Sequence, residues 1–595
     1  MQRLIALFAA LLWLSGLPAR AEPLRWQSWS ADVFEKSASQ KRLVLLDLEA
    51  VWCHWCHVMD ETTYADPEVQ ALLRQHFIIV RADQDANPDL AGRYGDWGWP
   101  ATILYAPDGT EIAKLRGYRN PEQMRSILKA FIAEPTPGPS ATAEKELIPA
   151  AAMFLSQSQR TRLTANWTSV YDAQNGGWGS ITKFVHGGSM DYALNLAEAG
   201  DAKAAAQVRQ TLDGAINLID PVAGGIYQYS DKPDWLSPHF EKIMPSQAQN
   251  LRNFSIAAKL FDEPRYAAAA KLIARYLMTN WRGAEGAFYV SQDADVGPGI
   301  HGAAYYKLDA KGRNALGHPR IDTNLYAREN GLAIAALAVH AGFSGDGGAL
   351  DAAVTAAHWV IANRALPGGG FRHGEIDRGG PFLVDNLAMG QAFIELYAAT
   401  GDRYWLKLAH DSGDFIGKTF RAAAGFVTSA ASDIATGPLS KPAYVVEENI
   451  DAARFFNLLS RYGGKLRYRE LAGHAMRSLA SEAVAGSQRF LAGALLADQE
   501  LSIEPVHLTI VGHRDDPAAQ LLHDAAAGYP ATYRRIDWWD MREGPLANPD
   551  VQYPDMGEAA LFACSNQICS QPVFKAEDIA ATVSRMLALR TVRQE

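Results

Sequence analysis

Cys53 and Cys56 stand in Val51-Trp52-Cys53-His54-Trp55-Cys56-His57, a C-x-x-C pair behind an apolar run that reads as a buried strand. At the first turn of a helix such a pair closes a small disulfide, and the helix dipole and unpaired backbone N–H groups stabilise a thiolate. The chemistry on offer is thiol–disulfide exchange. Asp47 lies six residues upstream, an acid inside Leu43-Val44-Leu45-Leu46-Asp47-Leu48. Buried behind the dithiol, it would have a raised pKa and shuttle a proton as the resolving thiol ionises; at a strand edge it would only face water. Trp99-Pro100 opens a further strand, where proline is costly unless geometry requires it, and a cis-proline facing the dithiol accounts for it. His54, between the cysteines, either stabilises the thiolate when protonated or is a solvated turn residue. Trp52 and Trp55 read as packing residues at an apolar rim.

Two other readings of the cysteines stay open. Cys53, His54, Cys56 and His57 interleave two metal-ligand types, but adjacent residues at a helix start diverge, so only two or three reach one ion without strain. The dithiol reading therefore calls for no metal. The remaining cysteines, Cys564 and Cys569, form a second close pair near the other end of the chain, although four cysteines allow three connectivities. This second dithiol is either a structural disulfide or a relay that exchanges electrons with the first.

The elements around the motif alternate in type. Residues 42–48 read as a strand, 53–61 and 66–75 as helices and 77–82 as a strand. Residues 99–105 and 111–115 form a hairpin around Pro107-Asp108-Gly109, and 121–132 a helix. This α/β domain spans 22–133, and the Pro/Ser/Thr-rich stretch 134–149 reads as a linker. Residues 150–500 turn to Ala/Leu-rich helical periodicity, with helices expected over 194–218, 248–260, 265–279, 331–341 and 389–400. Between helix pairs a Gly-aromatic signal returns at Gly176-Gly177-Trp178, Gly225-Ile226-Tyr227, Gly286-Ala287-Phe288, Gly369-Gly370-Phe371 and Gly425-Phe426. A closed ring of helical hairpins, an (α/α) toroid, satisfies this pattern because it leaves no end to cap. A smaller α/β segment follows over 501–595, with strands at 506–511, 532–536 and 558–563 and helices at 517–527 and 576–589. The expected fold class is thus multidomain: α/β, then an all-α toroid, then a C-terminal α/β segment.

Arg3, the apolar run from Leu4 to Leu17 and Ala19-Arg20-Ala21 have the layout of a secretory signal peptide over residues 1–21. The mature chain is then exported, periplasmic in a Gram-negative cell, with no membrane span. At 595 residues, with 48% apolar and 21% charged residues, the chain has the composition of an ordinary multidomain globular protein. A net charge of -10 without a basic run argues against nucleic acid as a partner.

Asp47, Trp52-Cys53-x-x-Cys56 and Pro100 fall in the order and spacing of the thioredoxin fold. The variant Cys53-His54-Trp55-Cys56-His57-Val58-Met59, with Asp66-Pro67-Glu68-Val69 and Asp83-Gln84-Asp85-Ala86-Asn87-Pro88-Asp89, resembles the spermatogenesis-associated protein 20 family. The resemblance continues through Lys183-Phe184, Trp235-Leu236, Pro238-His239-Phe240-Glu241-Lys242, Phe288-Tyr289, Asp293-Ala294-Asp295, Asn330-Gly331-Leu332 and Cys564 to Pro572. It implies a thioredoxin-like domain joined to an (α/α)6 toroid of the six-hairpin glycosidase type. It also implies that Cys53 attacks, Cys56 resolves, Pro100 shapes the client groove and Asp47 relays protons.

Two functions follow as expectations. The first is an exported thiol-disulfide oxidoreductase without a cofactor, whose toroid recruits or positions a protein client. The second is a carbohydrate-binding or carbohydrate-active toroid with an accessory thioredoxin-like domain, since toroids of this kind place an acid and a base at the ring mouth. Its candidate residues are Glu241, Asp293, Asp295, Asp322 and Asp385, with His239 and with Trp235, Phe240 and Tyr289 as sugar-stacking aromatics. The chain departs from the family at Ile243-Met244-Pro245-Ser246-Gln247 and at Arg328-Glu329, which weakens the second expectation.

Overall fold

The computed structural model describes residues 24–592 except 31, 142–145, 298–299, 378, 431–439, 488–490, 549 and 566–567, with backbone alone over 588–592. The expected signal over 1–21 lies outside the described residues. The chain forms two compact units. One holds the described residues of Met1–Glu49, Trp55–Ala82 and Trp97–Thr142, the other Ala50–His54, Asp83–Asp96 and the described residues of Ala143–Glu595.

In chain order the N-terminal elements are β1 (Gln27–Ser28), α1 (Val33–Gln40), β2 (Leu43–Glu49), α2 (His54–Thr62), α3 (Pro67–His76), β3 (Phe77–Asp83), α4 (Pro88–Tyr94), β4 (Ala101–Tyr105), β5 (Glu111–Arg116) and α5 (Pro121–Ala133). The sheet order is β1-β3-β2-β4-β5. β1 runs parallel to β3, whereas β4 runs antiparallel to both β2 and β5. β2 is central and buried through Leu48, which explains its unbroken apolar run. Local chemistry fixes the helix starts. Asp66 accepts from the backbone N–H groups of Glu68 and Val69, and Asn120 and Gln123 form a reciprocal capping box ahead of α5. The peptide bond Trp99-Pro100 is cis, and β4 starts just after it, with Ala101 opposite Leu48 and Thr102 opposite Asp47. Part of the presumed linker is tied down, because Gly138 N donates to Ile112 O and Lys114 N to Ser140 Oγ, both at 2.9 Å.

In the second unit six inner helices close a ring among the described residues: Gly187–Glu198, Met244–Phe261, Ala327–Ser344, Leu383–Thr400, Val446–Gly463 and Ala492–Ser502. Their outer partners are Ala202–Ala215, Pro264–Asn280, Gly347–Arg364, Arg403–Thr419, Leu466–Leu479 and Gln157–Ser169, so the first and last helices of the ring pair with each other. Buried charge seals this closure. Asp498 accepts from Arg160 Nε at 2.7 Å, and Arg454 bridges Asp191 and Glu500. The single helix expected over 194–218 is instead two, Gly187–Glu198 and Ala202–Ala215. Gly200 turns the chain at φ +95°, and Asp201 caps the new helix through the N–H groups of Lys203 and Ala204.

The recurrent Gly-aromatic signal has a structural cause. Each such turn pairs back onto the end of an outer helix, at Ile219 with Ile226, Arg282 with Phe288, Ala365 with Phe371 and Arg421 with Phe426. At these four an amide from the start of the next inner helix then clamps the turn. The Asn330 Oδ1 accepts from Phe288 N, Asn386 Oδ1 from Phe371 N, Asn449 Oδ1 from Phe426 N and Gln247 Oε1 from Ile226 N, all at 2.8 Å. The family-like lysines act similarly. Buried Lys183 Nζ donates to Gly176 O and Gly179 O, and buried Lys242 Nζ to Gly224 O.

The C-terminal segment is part of the second unit. Its strands Val506–Val511, Arg534–Trp539, Ala560–Ser565 and Ile568–Cys569 form one sheet. Tyr397 donates to Asp537 at 2.8 Å, and Ile536 N donates to the Tyr462 hydroxyl at 3.0 Å, so the sheet packs at the C-terminal ends of the inner helices. No described helix is long and apolar enough to cross a membrane.

Candidate functional site

The dithiol is oxidised. Cys564 is bonded to Cys569, no described cysteine is free, and Cys53 and Cys56 are bonded to each other. Cys53 immediately precedes α2, where the unpaired N–H groups of a helix start favour negative charge on sulfur. Both residues are buried, at 3% and 4% exposure. Trp55 is exposed and lies 5.6 Å from the Tyr118 ring, giving an apolar rim.

Asp47 is buried in the middle of β2. Its Oδ2 accepts from Arg81 Nε at 3.1 Å and Nη2 at 2.9 Å, and its Oδ1 accepts from the Tyr64 hydroxyl at 3.2 Å. Burial lifts its pKa to about 6 despite the opposing pull of Arg81. Arg81 is shared with Asp60 and Glu49 and lies over the Trp26 ring at 4.3 Å. Arg81 and Tyr64 were not anticipated as partners of Asp47. They are distant in sequence, and only the pairing of strands and the packing of side chains brings them together.

The loop leading into the dithiol is held by the acidic segment after β3. Val51 N donates to Asp83 Oδ2 at 3.1 Å, and Trp52 Nε1 to Asp85 Oδ2 at 2.8 Å. Burial raises both carboxyls, with the Asp322 charge adding to the rise at Asp83 and the Asp83 and Glu329 charges to that at Asp85. Asp85 O accepts from His373 Nε2 at 2.7 Å, and His373 Nδ1 meets Asp385 Oδ1 at 2.9 Å. Burial opposes the His373 charge, but the Asp385 carboxylate overrides it and holds the imidazole at about 9. Asp385, Arg328 and Glu329 all lie in first turns of inner helices. Segment Asp83–Asp96 thus meets the ring at the N-terminal ends of those helices. The sequence motif Asp83-Gln84-Asp85 was visible, but nothing in it named its partners.

His54 Nδ1 lies 2.7 Å from Asp295 Oδ2, and this contact raises the His54 pKa. His54 is therefore not a solvated turn residue. The other expected mouth residues are divided. His239 lies within 3.4 Å of Glu241 and 2.9 Å of Asp231, and it stacks on Tyr229. Asp293 Oδ1 accepts from Asp295 N, and Asp322 Oδ1 from Asn324 N and Nδ2. Asp385 is fully buried against His373 and Arg328 N. Trp235, expected to stack on a sugar, is 2% exposed, packs among Gly177 and Gly214 and donates to Asn175 O. It is a wall residue, because its indole fills the space two glycines leave.

Cys564 and Cys569 sit opposite each other on adjacent antiparallel strands of the C-terminal sheet. That sheet packs at the C-terminal ends of the inner helices, whereas the segment holding Trp52 meets their N-terminal ends. An 18-residue inner helix such as Leu383–Thr400 puts about 27 Å between them. A direct electron relay between the two pairs does not fit this placement.

The first domain has the strand order, dithiol position and preceding cis-proline strand of a thioredoxin fold, and the second is a six-hairpin α-helical ring. Residues 16–132 match the family model Thioredox_DsbH, described as "Protein of unknown function, DUF255". Thioredoxin of Listeria monocytogenes is 30% identical over 99 residues, covering 17% of this chain and 91% of that protein. The N-terminal domain belongs to the thioredoxin family. Spermatogenesis-associated protein 20 of Homo sapiens is 26% identical over 315 residues, covering 46% of this chain and 39% of the relative. The chain thus spans 39% of that curated relative's length. A solved sugar epimerase from a ruminal bacterium aligns at 14% identity and a TM-score of 0.42, over 54% of this chain and 86% of its own.

Proposed function

We propose that the protein is an exported thiol-disulfide oxidoreductase whose reactive group is Cys53–Cys56, with the helical ring as the scaffold that positions a protein client. The observation that carries this reading is the closed dithiol at the start of α2, fed by a strand bearing buried Asp47 with a pKa near neutrality. In the reducing direction the Cys53 thiolate attacks one sulfur of a client disulfide, and the other client sulfur leaves as a thiolate. Cys56 gives its proton to the Asp47 carboxylate and attacks Cys53. The second client thiolate departs, the Cys53–Cys56 bond forms, and two electrons have passed to the client. The reverse sequence oxidises a client dithiol. The buried, internally bonded Asp322 and Asp385 support a scaffold role for the ring over an open hydrolytic mouth.

The test is disulfide exchange by the full chain with a small disulfide and with insulin, alongside a Cys56→Ser variant. Exchange by the wild type and a trapped mixed disulfide through Cys53 in the variant are expected. Failure to reduce or oxidise either substrate, together with glycan binding that is lost in Glu241→Gln, would overturn the proposal.

A further inference from the structure

The three side chains of His54, Asp295 and His301 all belong to the second unit, and one ligand atom from each lies within 4.8 Å of the others. We propose that they bind one divalent first-row transition-metal ion. Asp295 is held in place for this. Its Oδ1 accepts from Gly302 N at 2.8 Å, and its own N–H donates to Asp293 Oδ1 at 3.0 Å. The other oxygen, Oδ2, faces two imidazoles: His54 Nδ1 at 2.7 Å and His301 Nδ1 at 3.6 Å. The two rings are nearly perpendicular, at 88° with centroids 5.4 Å apart, so their edges converge instead of stacking.

An ion pair between His54 and Asp295 explains the shorter distance alone. It gives no reason for a second imidazole on a half-exposed side chain to lie against the same carboxylate oxygen. A tetrahedral ion with ligand distances near 2.0–2.1 Å separates its ligands by about 3.3 Å. The His301 distance of 3.6 Å is close to that, and the His54 distance of 2.7 Å has to open by about 0.6 Å. The surroundings favour a cation. Asp293, Glu241 and Asp231 lie in the neighbouring shell, the last two holding His239, whose ring is 6.2 Å from that of His54.

The donor chemistry selects the ion. Two imidazoles and one carboxylate suit zinc, cobalt, nickel or iron, whereas calcium and magnesium prefer oxygen alone. Three protein ligands leave at least one coordination position open. The cysteine sulfurs take no part, since Cys53 and Cys56 are bonded to each other. The site therefore differs from the C-x-x-C metal reading of the sequence, and it stands whether or not the dithiol exchanges with a client.

The test uses the oxidised full chain, stripped with a chelator and titrated with Zn²⁺ in competition with a chromophoric chelator, then with Co²⁺ followed in the visible spectrum. One equivalent per chain is expected, with cobalt bands of a nitrogen–oxygen site and no sulfur charge-transfer band. His301 is the decisive position because its exposed side chain is not needed for folding. His301→Ala should weaken Zn²⁺ at least about tenfold, the smallest loss expected when even an outer-shell partner is removed. Asp295→Asn, which keeps an acceptor for Gly302 N, should do the same, and a Cys53→Ser/Cys56→Ser double variant should bind as the wild type. Zinc affinity unchanged by His301→Ala, binding lost only in the cysteine variant, or no saturable binding by the wild type would each overturn the proposal.

Discussion

Trp52 Nε1 donates a 2.8 Å hydrogen bond to Asp85 Oδ2, joining the residue before the dithiol to an acidic segment 33 positions further on. Asp85 in turn receives His373 through its carbonyl, and His373 rests on Asp385 in the first turn of an inner helix. The loop that presents Cys53 is thus anchored by a buried polar chain that runs into the helical ring. Such chains are costly to interrupt, because each group removed leaves its partner buried and unpaired.

Replacing Trp52 by Phe deletes the donor and leaves a smaller ring in the same buried place. The Asp85 carboxyl then loses a partner in a buried site, and a stability loss of about 1–3 kcal/mol is expected. Denaturant unfolding monitored by circular dichroism measures it. An effect below about 0.5 kcal/mol would mean that the bond is not a support for this loop.

His373 gives the anchoring a pH dependence of defined sign. Its folded-state value of about 9 lies above the ordinary imidazole value of 6.5, so charged His373 favours the fold. That contribution is fully present below about 6.5 and is lost as the pH rises through about 9. The thermal midpoint of the wild type should fall between pH 7 and pH 10 by more than that of His373→Gln, with both profiles read in the same buffers.

Asp47 predicts a different profile. Above about 6 its carboxylate is ionised and, in the proposed exchange, takes the proton of Cys56; below, it is protonated and cannot. The exchange rate should therefore rise with pH through about 6 in the wild type, and Asp47→Asn should be slower and lack that inflection. For stability the sign is reversed. An acid whose folded value exceeds its unfolded value of about 3.9 favours the fold when protonated, so the part due to Asp47 increases as the pH falls from about 6 toward 4.

Cys564 and Cys569 close a short loop across paired strands. Removing the bond in a Cys564→Ala/Cys569→Ala variant should cost about 2 kcal/mol through the freed unfolded chain. Client exchange through Cys53–Cys56 should be unaffected. A loss of exchange with stability unchanged would instead indicate that the second pair carries electrons.

Much of the architecture was legible in the sequence because local chemistry encodes it. The continuous apolar run of β2 and the helical patterning over 66–75 and 121–132 place element limits within one or two residues of those observed. The Gly-aromatic turns signalled the hairpins of the ring. The helix break at Gly200 was overrun, since alanine-rich periodicity continues on both sides of one Gly-Asp step. Trp235 was misread for a related reason: an aromatic beside acids looks like a binding platform until packing shows the glycines it covers.

The dithiol, the buried strand that feeds it and the alternation from α/β to helical hairpins can be read along the chain, because they rest on neighbouring residues and periodicity. Which polar groups meet follows from the folded arrangement alone: Arg81 on Asp47, Asp85 with Trp52, and Asp295 between His54 and His301. Those pairings span tens to hundreds of residues. Their energies depend on burial and on distances of a few ångströms, which no local pattern of residues records.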